Sequence, residues 1–335
     1  MATAALAAHA DWSIDPRKRW MTLARPHRGA WLVDAPVPVG PLDTLLARLL
    51  LRAGGGAVVL GVDLPLGLPR EYVARHGLAG DFPAFLRGLA GRPGFFELCH
   101  TLDQVSVDRP FYPARAVAGM TRAGHAAALG LADAHGLSRL CDRATGQRPA
   151  GAPLFWTLGA NQTGRAAITA WRDLLAPAWC RDRAAWPKLW PFEGDLLALL
   201  EPGRVVLAET YPAEAMRQLD LAMAGSKRRQ ADRARLAGKL FAAFAAIAAI
   251  PAPALQAAIA AGCGADAAGE DRFDSILGLL CVLHVLERRR PDGLPAAAAN
   301  DGWLRRWEGW ALGQTALPTV AVSHANHTDA ETRPC

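Results

Sequence analysis

Residues 58–69 read VVLGVDLPLGLP, an apolar run that ends in a single carboxylate, Asp63, and then meets Pro65 and Pro69. Branched residues followed by prolines have the composition of a buried strand that stops there. An acid at such a strand end has two readings. It opens a turn, as Asp ahead of Pro commonly does, or it is a ligand, because ligands in open α/β sheets gather beyond the carboxyl ends of the strands. Other acids reaching the same place would decide for the second.

Working back toward the N-terminus, AALAAHADWS (4–13), RWMTLARP (19–26) and GAWLVDAPVPV (29–39) alternate as strands do, with DPRK (15–18) and PHRG (26–29) as connecting turns. Such short connections predict an antiparallel meander. PLDTLLARLLLRAGGG (41–56) has helical apolar spacing, Pro41 and Asp43 near its start and glycines at its end. The run 58–63 then joins the sheet in parallel. Three antiparallel strands, a helix and a parallel strand form the front half of a ribonuclease-H-like α/β fold.

Working forward, residues from about 70 to 195 are rich in Pro, Trp and Arg, and patches such as GRAAITAWRDLL (164–175) read as helix. We expect helices and loops inserted between sheet strands, within a single domain spanning residues 1–317. RVVLAETYP (204–212) is a second apolar strand ending in an acid, Glu209. The basic segment GSKRRQADRARLAGKLFAAFAAI (225–247) is expected to be helical, and LFAAFAAIAAIPAPALQAAIAA (240–261) reads as helix, proline break and helix. DRFDSILGLLCVLHVLERRR (271–290) predicts a buried or amphipathic helix, and DGWLRRWEGWAL (301–312) a turn and strand packed back on the core. Residues 318–335 read as a disordered tail.

The 335 residues are 51% hydrophobic and 20% charged, as in globular proteins, and exclude global disorder. Lys and Arg exceed Asp and Glu by 37 to 31, which favours a polyanionic partner such as nucleic acid without requiring one. Cys99, Cys141, Cys180, Cys263, Cys281 and Cys335 show no metal-binding spacing and read as free thiols of a reducing cytoplasm. The opening MATAALAAHADWS lacks a cationic leader, and the longest apolar stretch is interrupted by prolines, so neither export nor a membrane span is expected. His100, His125 and His284 read as structural, and Trp303, Trp307 and Trp310 recur at helical spacing as core residues do. No phosphate-loop, nucleophile-elbow or dinucleotide fingerprint occurs.

Acids now stand at the edge of four apolar elements: Asp11, Asp63, Glu209, and the pair Asp271 and Asp274, which share a helix face three residues apart. The inferred topology makes the strands of Asp11 and Asp63 neighbours. Clustered carboxylates repel and lose hydration, so they coexist when partly protonated or when they bind cations. Oxygen ligands suit Mg²⁺ or Mn²⁺, and two such ions roughly 3.5 to 4 Å apart activate water for phosphodiester hydrolysis. Each acid keeps a plainer reading: Asp11 as a turn acid bonding Ser13 or Arg17, Glu209 as an ion-pair partner of an arginine, Asp271 as a helix cap. Lys227, Arg228, Arg229 and Arg233 would grip phosphates or form a solvated face.

The motifs DWSIDPRKRWM (11–21), GVDLPLGLP (61–69), AETYPAEAMRQL (208–219) followed by GSKRRQADRARL (225–236), and DRFDSILGLL (271–280) before a Trp-rich end resemble a known family. It is the group of predicted nucleases called domain of unknown function 429, which is ribonuclease-H-like, and the resemblance runs from residue 10 to about 313. It implies a site formed by Asp11, Asp63, Glu209 and Asp274, and Ser226 with Lys227 resembles the family's Ser-Lys pair. The expected function is a metal-dependent nuclease. The alternatives are a phosphotransferase or ATPase of the related actin-like fold, against which the prolines of 65 and 69 count, and a noncatalytic nucleic-acid or protein-binding module.

Overall fold

A computed structural model of the chain describes residues 3–159, 163–182, 186–296 and 301–319. β1 (Ala4–Asp11), β2 (Trp20–His27), β3 (Ala30–Val33), β4 (Val37–Pro38), β5 (Ala57–Val62), β6 (Lys188–Leu189), β7 (Val205–Glu209) and β8 (Ala249–Pro251) build one mixed sheet. Its order is β6-β7-β5-β1-β2-β3-β8, with β4 also paired to β2. β1, β2 and β3 form the expected antiparallel meander. β5 lies parallel to β1 and β7 parallel to β5, as their unbroken apolar runs require of strands covered on both faces. The result is a mixed α/β fold with helices on both sides of the sheet.

Alternation along the strands sorts the side chains into two apolar layers. Leu6, Ala8 and Ala10 of β1, Val58, Leu60 and Val62 of β5 and Val205 and Leu207 of β7 face one layer, which the helix Leu45–Arg52 and inserted residues such as Phe82, Phe95, Phe111 and Trp171 complete. Ala7, Val59, Val206 and Ala208 face the other, filled by the long helix Gly269–Leu286 and by Leu240 and Phe244.

The long helix runs antiparallel to β1 and β5. A Cβ on Gly278 would stand 2.2 Å from the ring of His9, and one on Gly61 would stand 2.7 Å from Val282. These two glycines let the helix lie close on the strands. Thr22 on β2 and Ser275 join hydroxyls at 2.7 Å beside them. The arrangement brings the helix start to the carboxyl ends of β1 and β5.

Several expectations are corrected. The proline break in 240–261 carries a strand, β8, which pairs parallel to β3 at the sheet edge where prolines are tolerated. The basic segment begins as a loop and turns helical only over Gln230–Ala234 and Ala237–Ala245. Residues 301–312 form no strand: Leu304–Glu308 is a π-helical turn, because Glu308 turns inward to hold Arg70 at 2.6 Å. Of the expected tail, Pro318 pairs with Thr145 and Thr319 donates to the Ala144 carbonyl. The remainder from 320, with Cys335, lies outside the described residues. The five described cysteines are free thiols, and no described helix is long and apolar enough to cross a membrane.

Candidate functional site

β1 and β5 are in register at Ala10 and Val62, and the backbone N–H of Asp63 donates to the Ala10 carbonyl at 3.1 Å. Asp11 and Asp63 are thus neighbours at the same sheet edge. Both continue the strand positions that face the long helix, and Asp274 and Asp271 descend onto them from its first turns. Asp11 is 7% exposed and makes no hydrogen bond or ion pair among the described residues. Asp274 Oδ1 and Asp271 Oδ2 are also buried without a partner.

This crowding shows in the acidities. Burial, then the charges of Asp274, Asp63 and Asp271, pushes the Asp11 carboxyl well above the usual carboxylate range. Burial and then Asp274 push Asp63 up to about 7. Burial, with Asp274 and Glu270, pushes Asp271 up to about 6 although Lys18 opposes it. Burial also raises Asp274, against the pull of Lys227. A group of acids that resists ionisation this strongly is relieved by protons or by cations.

The strand exits are braced. After Asp11, the Trp12 indole donates to Thr169 at 3.0 Å, and Arg19 stacks on Trp12 while donating to the Ser13 and Ile14 carbonyls. Arg17 pairs with Asp15, so Asp11 serves neither of the turn contacts that its plainer reading offered. After Asp63, Pro65 accepts from the Trp171 indole, and Leu68 donates to the Trp307 carbonyl. Gly67, at φ +136°, passes so near Glu308 that a Cβ would lie 2.0 Å from its carbonyl oxygen.

Glu209 does not join the aspartates. Its register partner on β5 is Val62, not Asp63, so its side chain enters the opposite layer. There it takes both terminal nitrogens of Arg139 at 2.6 Å and the Leu66 N–H at 2.6 Å. Arg139, fully buried, also holds Asp142 and the Leu66 carbonyl, and Tyr211 donates to Asp142. Glu209 therefore fastens the loop that carries Asp63. Cys141, Asp142 and Glu209 bring three ligand atoms within 4.8 Å and could hold a metal ion by spacing. In this structure the Arg139 guanidinium donates to both carboxylates and offsets one of their two negative charges. The helix-side aspartates do not close to that spacing.

The basic loop divides. Arg228 and Arg229 are exposed. Arg233 is corrected from phosphate grip to structural residue: it is buried and donates to the carbonyls of Lys227, Gly262 and Gly264. Lys227 points inward and donates to Asp274 Oδ2 at 2.5 Å.

Three residues escaped the sequence reading. Thr210 follows Glu209 in β7 and donates its N–H to the Val62 carbonyl, which sets it beside Asp63 with a buried, unpartnered hydroxyl. His9 lies two residues before Asp11 on the same strand face, and burial drives its pKa down to about 3, so it is neutral. Arg139 lay unmarked in the insertion, where only its buried position distinguishes it from many other arginines. His125 and His284 are structural as expected, each donating its Nε2–H to a backbone carbonyl, that of Pro110 and that of Ala243 respectively. No family model matches the chain, and neither the curated proteins nor the solved structures yield a match.

Proposed function

We propose that the chain is a metal-dependent phosphodiesterase acting on nucleic acid, with a ribonuclease-H-like fold and the family affinity its motifs suggest. The observation that carries the reading is the meeting of Asp11, Asp63 and Asp274 at one sheet edge, with Asp11 buried and unpartnered. Meander strands followed by parallel β5 and β7 support the fold assignment.

The residues present fit a hard divalent cation: their donors are carboxylate oxygens, and burial and mutual repulsion hold their pKa values above the usual carboxylate range. Asp11 and Asp63 would hold Mg²⁺ or Mn²⁺, with Asp271 at the rim. Such an ion supplies a Lewis-acidic centre and lowers the pKa of water. The chain's own contribution is to fix the carboxylates through the braced exits and to present Arg228, Arg229 and Lys18 as exposed cations beside an anionic substrate. Hydrolysis adds a water oxygen to phosphorus, breaks one ester P–O bond and places the proton on the departing alkoxide. The free thiols suit a cytoplasmic setting.

The test is cleavage of end-labelled single- and double-stranded DNA and RNA in Mg²⁺ and Mn²⁺ by wild type and Asp63→Asn. Metal-dependent products from wild type alone support the reading. Equal products from a folded variant would overturn it.

A further inference from the structure

One member of the carboxylate site is a cation. Lys227 Nζ sits 2.5 Å from Asp274 Oδ2, with the two side chains 24% and 13% exposed. Burial disfavours its charge, but Asp274 and then Asp63 hold the ammonium protonated.

The loop that carries it is built rather than draped. Asp232 accepts from the Ser226 N–H at 2.9 Å, and Arg233 clamps the Lys227 carbonyl while anchored on Gly262 and Gly264. Gly225, at φ +134°, passes Asp232 where a Cβ would come within 2.3 Å of its oxygen. Two buried charged side chains and a glycine thus set where Lys227 stands. Its neighbours Arg228 and Arg229 remain in solvent, so positive surface charge alone does not account for this construction.

Charge balance gives the placement a meaning. Asp11, Asp63 and Asp274 carry three negative charges when ionised, and Lys227 returns one, while the charge of Asp271, half-buried at the rim, is offset by Lys18. A single divalent cation makes the buried set neutral, whereas two would leave it with an excess positive charge of two, which burial penalises. One oxygen of Asp274 is committed to the ammonium as well. Resting on the reading of the site as a cation centre, we propose that Lys227 stands in the place of a second metal ion, so that the chain binds one divalent cation, on Asp11 and Asp63, and not two.

The experiment counts Mn²⁺ bound per full-length chain, by equilibrium dialysis with electron paramagnetic resonance of the free ion, for wild type, Lys227→Ala and Lys227→Arg. Circular dichroism checks that each is folded. The expected result is one ion in wild type and Lys227→Arg, rising to two in Lys227→Ala. Two ions in wild type would overturn the inference while leaving the cation-centre reading intact. A folded Lys227→Ala that stays at one ion would overturn it in the same way. No bound ion in any of the three would overturn both. Should Lys227→Ala fail to fold, the wild-type count still decides between one ion and two.

Discussion

Asp63 donates its backbone N–H to the carbonyl of Ala10 at 3.1 Å, so the strand pair closes with Asp11 and Asp63 side by side. Two acids at adjacent parallel strand ends, under the start of a helix that adds a third, cannot all ionise without a counter-charge. This relationship carries the functional reading, and its electrostatic cost is measurable before any substrate is known.

The first consequence concerns pH. In the folded chain the Asp63 carboxyl is raised from 3.8 to about 7, so between those values the native state holds a proton that the unfolded chain has released. Stability from this group is therefore lost as pH rises from about 4 to 7. His9, driven down to about 3, pulls the opposite way below its ordinary pKa, so the comparison must be made between proteins. In EDTA, Asp63→Asn should match wild type near pH 4 and exceed it by on the order of 4 kcal/mol at pH 7.5. Urea melts across this range check it, and a gap that shrinks with rising pH would contradict it.

Removing Arg139 should unfold or cripple the chain without touching the cation site directly. Arg139→Met leaves Glu209 and Asp142 buried with no positive partner, a loss of about 3–5 kcal/mol by precedent for broken buried pairs. Glu209→Gln, which keeps the shape, should lower the melting point yet bind Mn²⁺ with wild-type affinity. A Glu209→Gln protein that melts normally but no longer binds Mn²⁺ would return Glu209 to the ligands.

Packing under the site gives a separate test. Gly278→Ala places a methyl where the His9 ring lies, 2.2 Å from its nearest atoms, and overpacking of this kind costs about 1–3 kcal/mol. Adding His9→Ala should recover part of that loss, because the two changes share one space. Strictly additive melting shifts would show that the helix does not rest on His9.

The arginines of the basic loop should separate by burial. Arg228→Ala and Arg229→Ala should weaken nucleic-acid binding across sequences and each reduce the salt slope by about 1. Arg233→Ala should instead destabilise the fold, since it removes the anchor for three carbonyls. Equal effects of all three on binding, with no change in melting, would contradict the division.

Much of this architecture was legible in the sequence, because alternation in β1 to β3 and unbroken apolar runs in β5 and β7 are dictated by which faces are covered. The meeting of Asp11, Asp63 and Asp274 followed from that topology. That Glu209 faces the other layer was not legible, because it depends on register: AE in β7 aligns with GV in β5, and a single-residue offset exchanges the faces of a sheet. β8 went unseen because three residues of alanine-rich chain beside a proline carry no strand period, and only pairing with β3 creates it. The inward turn of Lys227 and Arg233, against the outward turn of Arg228 and Arg229, depends on a loop shape fixed by Gly225, Asp232 and distant carbonyls.

The central claim, that the aspartates form a cation centre, is tested most directly by thermal melts of wild type and Asp63→Asn in EDTA, Mg²⁺ and Mn²⁺. A rise in the wild-type midpoint with metal, absent from a folded Asp63→Asn, is the predicted result. If neither protein responds, or both respond equally, the aspartates at the ends of β1 and β5 are not where a cation binds, and the hydrolytic reading fails with them.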